Sequence, residues 1–137
     1  MKMGISSVTL ITNSDLNIPL FCEFVENKKV EIMHYMDIDA KEFSQLMEQE
    51  DAVVIDVRSP MELYDGSIPG HIMINMFDPD FVSRIQQLDR DKTYLLYCRT
   101  GNRSASACGF MSSLGFSKLY NLEGGIYAWN QEMREAG

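Results

Sequence analysis

From about Asp37 onward, short apolar runs alternate with stretches whose apolar residues recur at helical spacing. Asp39 is placed to cap a helix through about Glu48, with Phe43, Leu46 and Met47 on one face. Ala52–Val57 reads as a short strand, apolar until Asp56. Ser59-Pro60-Met61-Glu62 has the form of a capping box with Pro at the first helical position. Ile72–Asn75 reads as a second strand. Asp78-Pro79 opens a helix in which Phe81, Val82, Ile85 and Leu88 share a face. Thr93–Tyr97 is a third strand, and a helix after Ser104 stops at Gly115, a favourable C-terminal glycine. Lys118–Tyr120 is a fourth strand. Glu123-Gly124-Gly125 turns into a last helix carrying Ile126, Trp129 and Met133.

This alternation predicts an α/β fold with a mostly parallel central sheet and helices on both faces, over residues 37–137. Residues 1–36 form an N-terminal extension of different character. Ile5–Ile11 fits a strand. Leu20–Val25 and Val30–Met36, separated by Glu26–Lys29, fit a β-hairpin; Pro19 followed by Leu20, Phe21, Phe24 and Val25 also fits a helix, and the hairpin is favoured. The segment is too apolar for a loose tail, so it is expected to pack on the domain or on a partner subunit, which is compatible with a homodimer.

Composition narrows the function classes. An apolar share of 45% over 137 residues supports one core and excludes a disordered chain. Twelve Lys and Arg against 20 Asp and Glu leave a net charge of −8, which argues against a nucleic-acid partner while leaving room for a small anion at a local positive site. No run approaches the ~18 apolar residues of a membrane span, and the first residues lack a signal-peptide core. Three cysteines, Cys22, Cys98 and Cys108, form no disulfide framework and no CxxC pair, so a reducing cytoplasmic setting is expected. His34 and His71 make no zinc-ligand pattern with them, and no metal or organic cofactor is expected. The ten methionines suit adaptable packing rather than a copper site.

The segment carrying chemistry is Cys98-Arg99-Thr100-Gly101-Asn102-Arg103-Ser104. Cys98 sits between the end of an apolar strand and the start of a helix. Unpaired backbone N–H groups and the positive end of a helix dipole converge there and favour a thiolate, the nucleophilic form. Gly101 permits positive φ, and Asn102 tolerates it, so this loop can turn its amides inward as a nest for an anion. Arg99 and Arg103 add positive charge, although one of them could instead pair with a carboxylate. Thr100 offers a hydroxyl. Asp56 and Arg58, at a strand end, either line the pocket or support neighbouring loops. Cys108 and Cys22 read as core residues, His71 as a surface or packing residue, and Trp129 with Gly124-Gly125 as a lock for the last helix.

Four motifs in order resemble the rhodanese family over residues 37–137: Val54-Ile55-Asp56-Val57-Arg58 with Glu62; Gly66-Ser67-Ile68-Pro69-Gly70-His71-Ile72; the Cys98–Ser104 loop; and Leu122-Glu123-Gly124-Gly125-Ile126-Tyr127-Ala128-Trp129. In the second motif, Ser67 stands where the family often has His, and His71 where it often has Ala. The resemblance implies a single-domain sulfurtransferase. Cys98 would take a sulfane sulfur from thiosulfate or a persulfide or polysulfide donor and hand it to cyanide, a thiol or a protein cysteine. Arg99–Arg103 would bind the donor, with Asp56, Arg58 and Ser104 in support. Cysteine phosphatases and arsenate reductases on the same fold use a loop one residue longer, so the four residues between Cys98 and Arg103 favour sulfur over a tetrahedral oxyanion. A non-catalytic binding module is the third alternative, against which the cysteine and its basic loop speak.

Overall fold

The computed structural model describes residues 34–137. The extension expected over residues 1–36, with its hairpin, falls almost wholly outside them. The described residues form a five-stranded sheet, all parallel, in the order β1-β5-β4-β2-β3. The strands are β1 Met36–Ile38, β2 Ala52–Asp56, β3 Ile72–Met73, β4 Thr93–Tyr97 and β5 Leu119–Leu122. The α-helices are α1 Ala40–Leu46, α2 Phe81–Gln86, α3 Asn102–Ser113 and α4 Gly125–Ala136, with a 3-10 helix over Pro60–Asp65.

Topology decides which face each helix covers. The β1-to-β2 connection crosses the sheet in one direction, and β3-to-β4 and β4-to-β5 cross in the other. Right-handed crossovers then place α1 on one face and α2 and α3 on the opposite one. The core divides accordingly. On the α2/α3 face, Ile55, Val57, Tyr94, Leu96, Cys98 and Leu119 pack with Phe81, Ile85, Ala107, Cys108 and Met111. On the other face, Ile38, Val54, Leu95, Tyr97 and Leu122 meet Ala40 and Phe43 of α1 and Ile126 and Trp129 of α4, where Phe43 and Trp129 pack edge to face at 6.2 Å. Residues 94–97 alternate between these cores and are all buried, which is why β4 reads as a continuous apolar run.

The local signals act as their chemistry predicts, with some shifts. Asp39 Oδ1 accepts from the Glu42 N–H at 2.9 Å and starts α1. The Ser59–Glu62 pairing is made, the Glu62 carboxylate accepting from Ser59 N–H at 3.1 Å, but what it opens is a 3-10 helix. That helix stops at Gly66, whose φ of 102° is left-handed. The expected Ile72–Asn75 strand keeps ladder form only at Ile72 and Met73, and β5 runs two residues beyond Tyr120. Helix α2 begins at Phe81 rather than at Asp78-Pro79; Phe81 and Ile85 are buried, whereas Val82 faces solvent.

Candidate active site

Cys98 follows β4 directly, at the carboxyl end of a central parallel strand, where open α/β sheets place their ligand sites. The chain then turns through Arg99–Gly101. Gly101 takes φ 105°, and a Cβ there would lie 3.2 Å from the Leu122 carbonyl. Helix α3 starts at the next residue. The turn brings the N–H of Gly101 to 3.1 Å from Cys98 Sγ, the N–H of Ser104 to 3.4 Å and the Ser104 hydroxyl to 3.3 Å. Sγ thus lies at the amino end of a 12-residue helix, with three hydrogen-bond donors within reach.

Electrostatics follow from that placement. Burial of Cys98, 1% exposed, on its own pushes the thiol pKa up. The hydroxyl and N–H of Ser104 and the N–H groups of Gly101 and Thr100 outweigh it, and the net direction is down. Cys108, further along α3, has no such donors among the described residues. Burial drives its thiol far up, and it packs in the core as expected of it.

The two arginines diverge. Arg103 grips the Glu62 carboxylate through both terminal nitrogens, at 3.0 and 2.7 Å, so it is the arginine that pairs with an acid. Arg99 is exposed, its Nε donating to the Tyr127 hydroxyl at 2.6 Å and its guanidinium 5.4 Å from that ring. The Thr100 and Asn102 side chains face solvent. Asp56 and Arg58 do not reach the sulfur. Both are fully buried and form a forked pair, with Nε and Nη2 donating to the carboxylate at 2.8–3.2 Å. Arg58 also donates to the carbonyls of Glu62 and Gly66, and Tyr97 donates to Asp56 at 2.9 Å, so this cluster braces the segment that presents Glu62 to Arg103. His71 places Nδ1 2.9 Å from the Ile68 carbonyl and its ring edge-on to Tyr97, as a packing residue would.

Three contributors escape sequence reasoning. The N–H of Ile126, in the first turn of α4, donates to the Cys98 carbonyl at 2.9 Å. Gly125, with φ 61°, lies so close that a Cβ would overlap the Arg99 carbonyl and come 2.6 Å from the Cys98 oxygen. Its signal is the glycine pair, legible as a turn but not as the rear wall of the loop. Asn121 on β5, 3% exposed, accepts from the Ser104 hydroxyl and donates to the Gly101 carbonyl. Nothing local marks it.

The fold is an α/β domain with a buried cysteine cradled by amides at the end of a central parallel strand. The Rhodanese-like domain family model matches residues 39–132, and the chain belongs to that family. It is 35% identical over 94 residues to a protein named Sulfurtransferase from Allochromatium vinosum, covering 68% of this chain and 86% of that relative. It is 34% identical over 89 residues to Thiosulfate sulfurtransferase GlpE of Pseudomonas syringae, covering 64% and 81% respectively. A rhodanese-related protein of Thermoplasma volcanium superposes with a TM-score of 0.62 at 38% identity, covering 72% of this chain and 93% of the other. Relatives so named support rhodanese-type sulfur transfer as the general activity.

Proposed function

We propose that the protein moves a sulfane sulfur through a persulfide on Cys98. The thiolate attacks the outer sulfur of thiosulfate or of a persulfide or polysulfide. The donor's S–S bond breaks, and sulfite or a thiolate leaves with its electron pair. The transferred sulfur then carries the negative charge at the end of the Cys98 persulfide. A thiophilic acceptor, cyanide or a thiol, attacks that outer sulfur, the second S–S bond breaks, and Cys98 recovers its thiolate. Electrons balance without an added oxidant or reductant.

The observation that carries this reading is the set of three donors 3.1–3.4 Å from Sγ, which stabilises sulfur anions. The short loop supports sulfur rather than phosphate as cargo. Arg99, Thr100 and Asn102 are the outward residues that would meet the donor. Arg103 acts from the Glu62 pair as a fixed positive charge. Asp56 and Arg58 hold the frame.

Intact-mass measurement after incubation with thiosulfate, and separately with polysulfide, tests the proposal. The expected result is a gain of one sulfur atom, absent in Cys98→Ser and removed by cyanide with release of thiocyanate. No adduct from either donor, or phosphate release from an aryl phosphate without thiocyanate formation, would overturn it.

A further inference from the structure

The Ser104 hydroxyl stands between two acceptors. Its Oγ is 3.3 Å from Cys98 Sγ and 2.5 Å from Asn121 Oδ1. A hydroxyl carries one proton, so it cannot donate to both. The orientation of the Asn121 amide is fixed by its other end. Nδ2 lies 2.9 Å from Asp37 Oδ1 on β1 and 3.1 Å from the Gly101 carbonyl. Both partners only accept, so a flipped amide would set oxygen against two oxygens. Oδ1 therefore always faces Ser104 as an acceptor.

We propose that Asn121 is a positioning residue which holds the Ser104 proton whenever Cys98 Sγ is neutral and releases it to the sulfur whenever Sγ becomes an anion. This inference rests on the persulfide reading for its use in the reaction, but not for its existence. In the free thiol, Sγ is a weak acceptor and the hydroxyl turns to Asn121. In the persulfide the charge sits on the outer sulfur, inner Sγ is again neutral, and the hydroxyl again turns to Asn121. When an acceptor removes the outer sulfur, the electron pair of the breaking bond collects on Sγ. The hydroxyl then rotates to it and makes a charge-assisted bond. The donor is thus stored one bond rotation from where charge develops, inside a buried site that water does not need to reorganise. Other ionisable groups near this arrangement are Asp37 on β1 and Glu123 beyond β5, which line the cavity beside Asn121, and Arg103 and Cys108 on α3.

The proposal fixes the sign of a mutational effect that a merely structural residue would reverse. In Asn121→Leu the hydroxyl has lost its competing acceptor, so the neutral-thiol state loses the Ser104–Asn121 bond while the thiolate state keeps its bond from Ser104. The Cys98 pKa should fall by about half to one pH unit, roughly three- to tenfold more thiolate at a fixed pH below it. Ser104→Ala should raise the pKa by a similar amount, and Asn121→Leu should have no effect in the Ser104→Ala background. The readout is the rate of iodoacetamide alkylation of Cys98 against pH, with the modified peptide assigned by mass. A rise in pKa in Asn121→Leu would mean that the amide cradle had opened, and would overturn the proposal. So would an equal fall with and without Ser104. The wild-type protein provides an independent arm should Asn121→Leu not fold. The Asn121 side-chain amide resonances should shift with the ionisation of Cys98, and this shift should shrink severalfold in Ser104→Ala; an unchanged shift would overturn the proposal. Both arms read the thiol itself, so they remain decisive even if thiosulfate leaves no sulfur on Cys98.

Discussion

Replacing Glu62 by Gln tests how firmly the 3-10 segment is tied to the Cys98–Arg103 loop. The Glu62 carboxylate accepts from both terminal nitrogens of Arg103, at 2.7 and 3.0 Å, and from the N–H and hydroxyl of Ser59, at 3.1 and 3.0 Å. The Arg103 bonds chiefly, opposed by burial and helped by Ser59, lower its pKa from 4.5 to about 2. At about 1.4 kcal/mol per pH unit, that corresponds to about 3 kcal/mol in favour of the ionised form. The two side chains are 28% and 22% exposed, and solvent screening reduces the contribution to about 1–2 kcal/mol. The sign follows from the depressed pKa. The stabilisation is complete above the ordinary carboxylate range and disappears as pH falls from about 4.5 towards about 2. Urea unfolding of wild type and Glu62→Gln across that range should show a gap of this size near neutrality that closes as the medium is acidified. A gap that stayed constant from about pH 7 to about pH 3, or no gap at neutrality, would refute the reasoning.

Other outcomes follow from the same geometry. Native protein should be alkylated by iodoacetamide at Cys98 before Cys108, and at a lower pH than an ordinary thiol, because the donors at Sγ favour its thiolate and burial disfavours that of Cys108. Preferential labelling of Cys108 would contradict this. Gly125→Ala should abolish sulfur transfer and cost more than about 2 kcal/mol, since its methyl would overlap the loop carbonyls, whereas Gly70→Ala, with φ 81° and nothing within 4 Å, should cost about 1 kcal/mol. Thiocyanate formation and denaturant midpoints compare the two. Arg58→Met strands the buried Asp56 carboxylate and should cost about 3–5 kcal/mol, a fall in Tm on the order of 15–25 °C. Adding Asp56→Val should recover part of it, and a loss under about 1 kcal/mol for Arg58→Met alone would show that the pair is not buried in solution.

Elements whose cause is local were readable from the chain. Strand β4 is buried on both faces and therefore apolar throughout, and α1 carries its own cap at Asp39. The placement of Cys98 among backbone donors was readable for the same reason, since a strand end, a glycine and a helix start are neighbours in sequence. Elements fixed by distant partners were not. Ser59 and Glu62 announce a helix start, but the carboxylate is shared with Arg103, 41 residues on, and that cross-link is invisible in the motif. Which arginine meets a carboxylate follows from the path of the 3-10 segment, which the Asp56–Arg58 pair sets from beneath. Asn121 interrupts an apolar strand and reads as a blemish until β1, β5 and β4 are laid side by side. Only that strand order brings Asp37, 84 residues away, and Ser104 to its two ends.

The rear wall formed by Gly125 and Ile126 also bears on how the protein is made. Cys98 leaves the ribosome before β5 and α4, yet its carbonyl is held by the Ile126 N–H, and its loop rests against Gly125. A nascent chain that has emerged only as far as Ser113 already bears Cys98 but not the surface against which its loop rests. The thiol should therefore stay comparatively unreactive during synthesis and gain its reactivity only when the last helix docks.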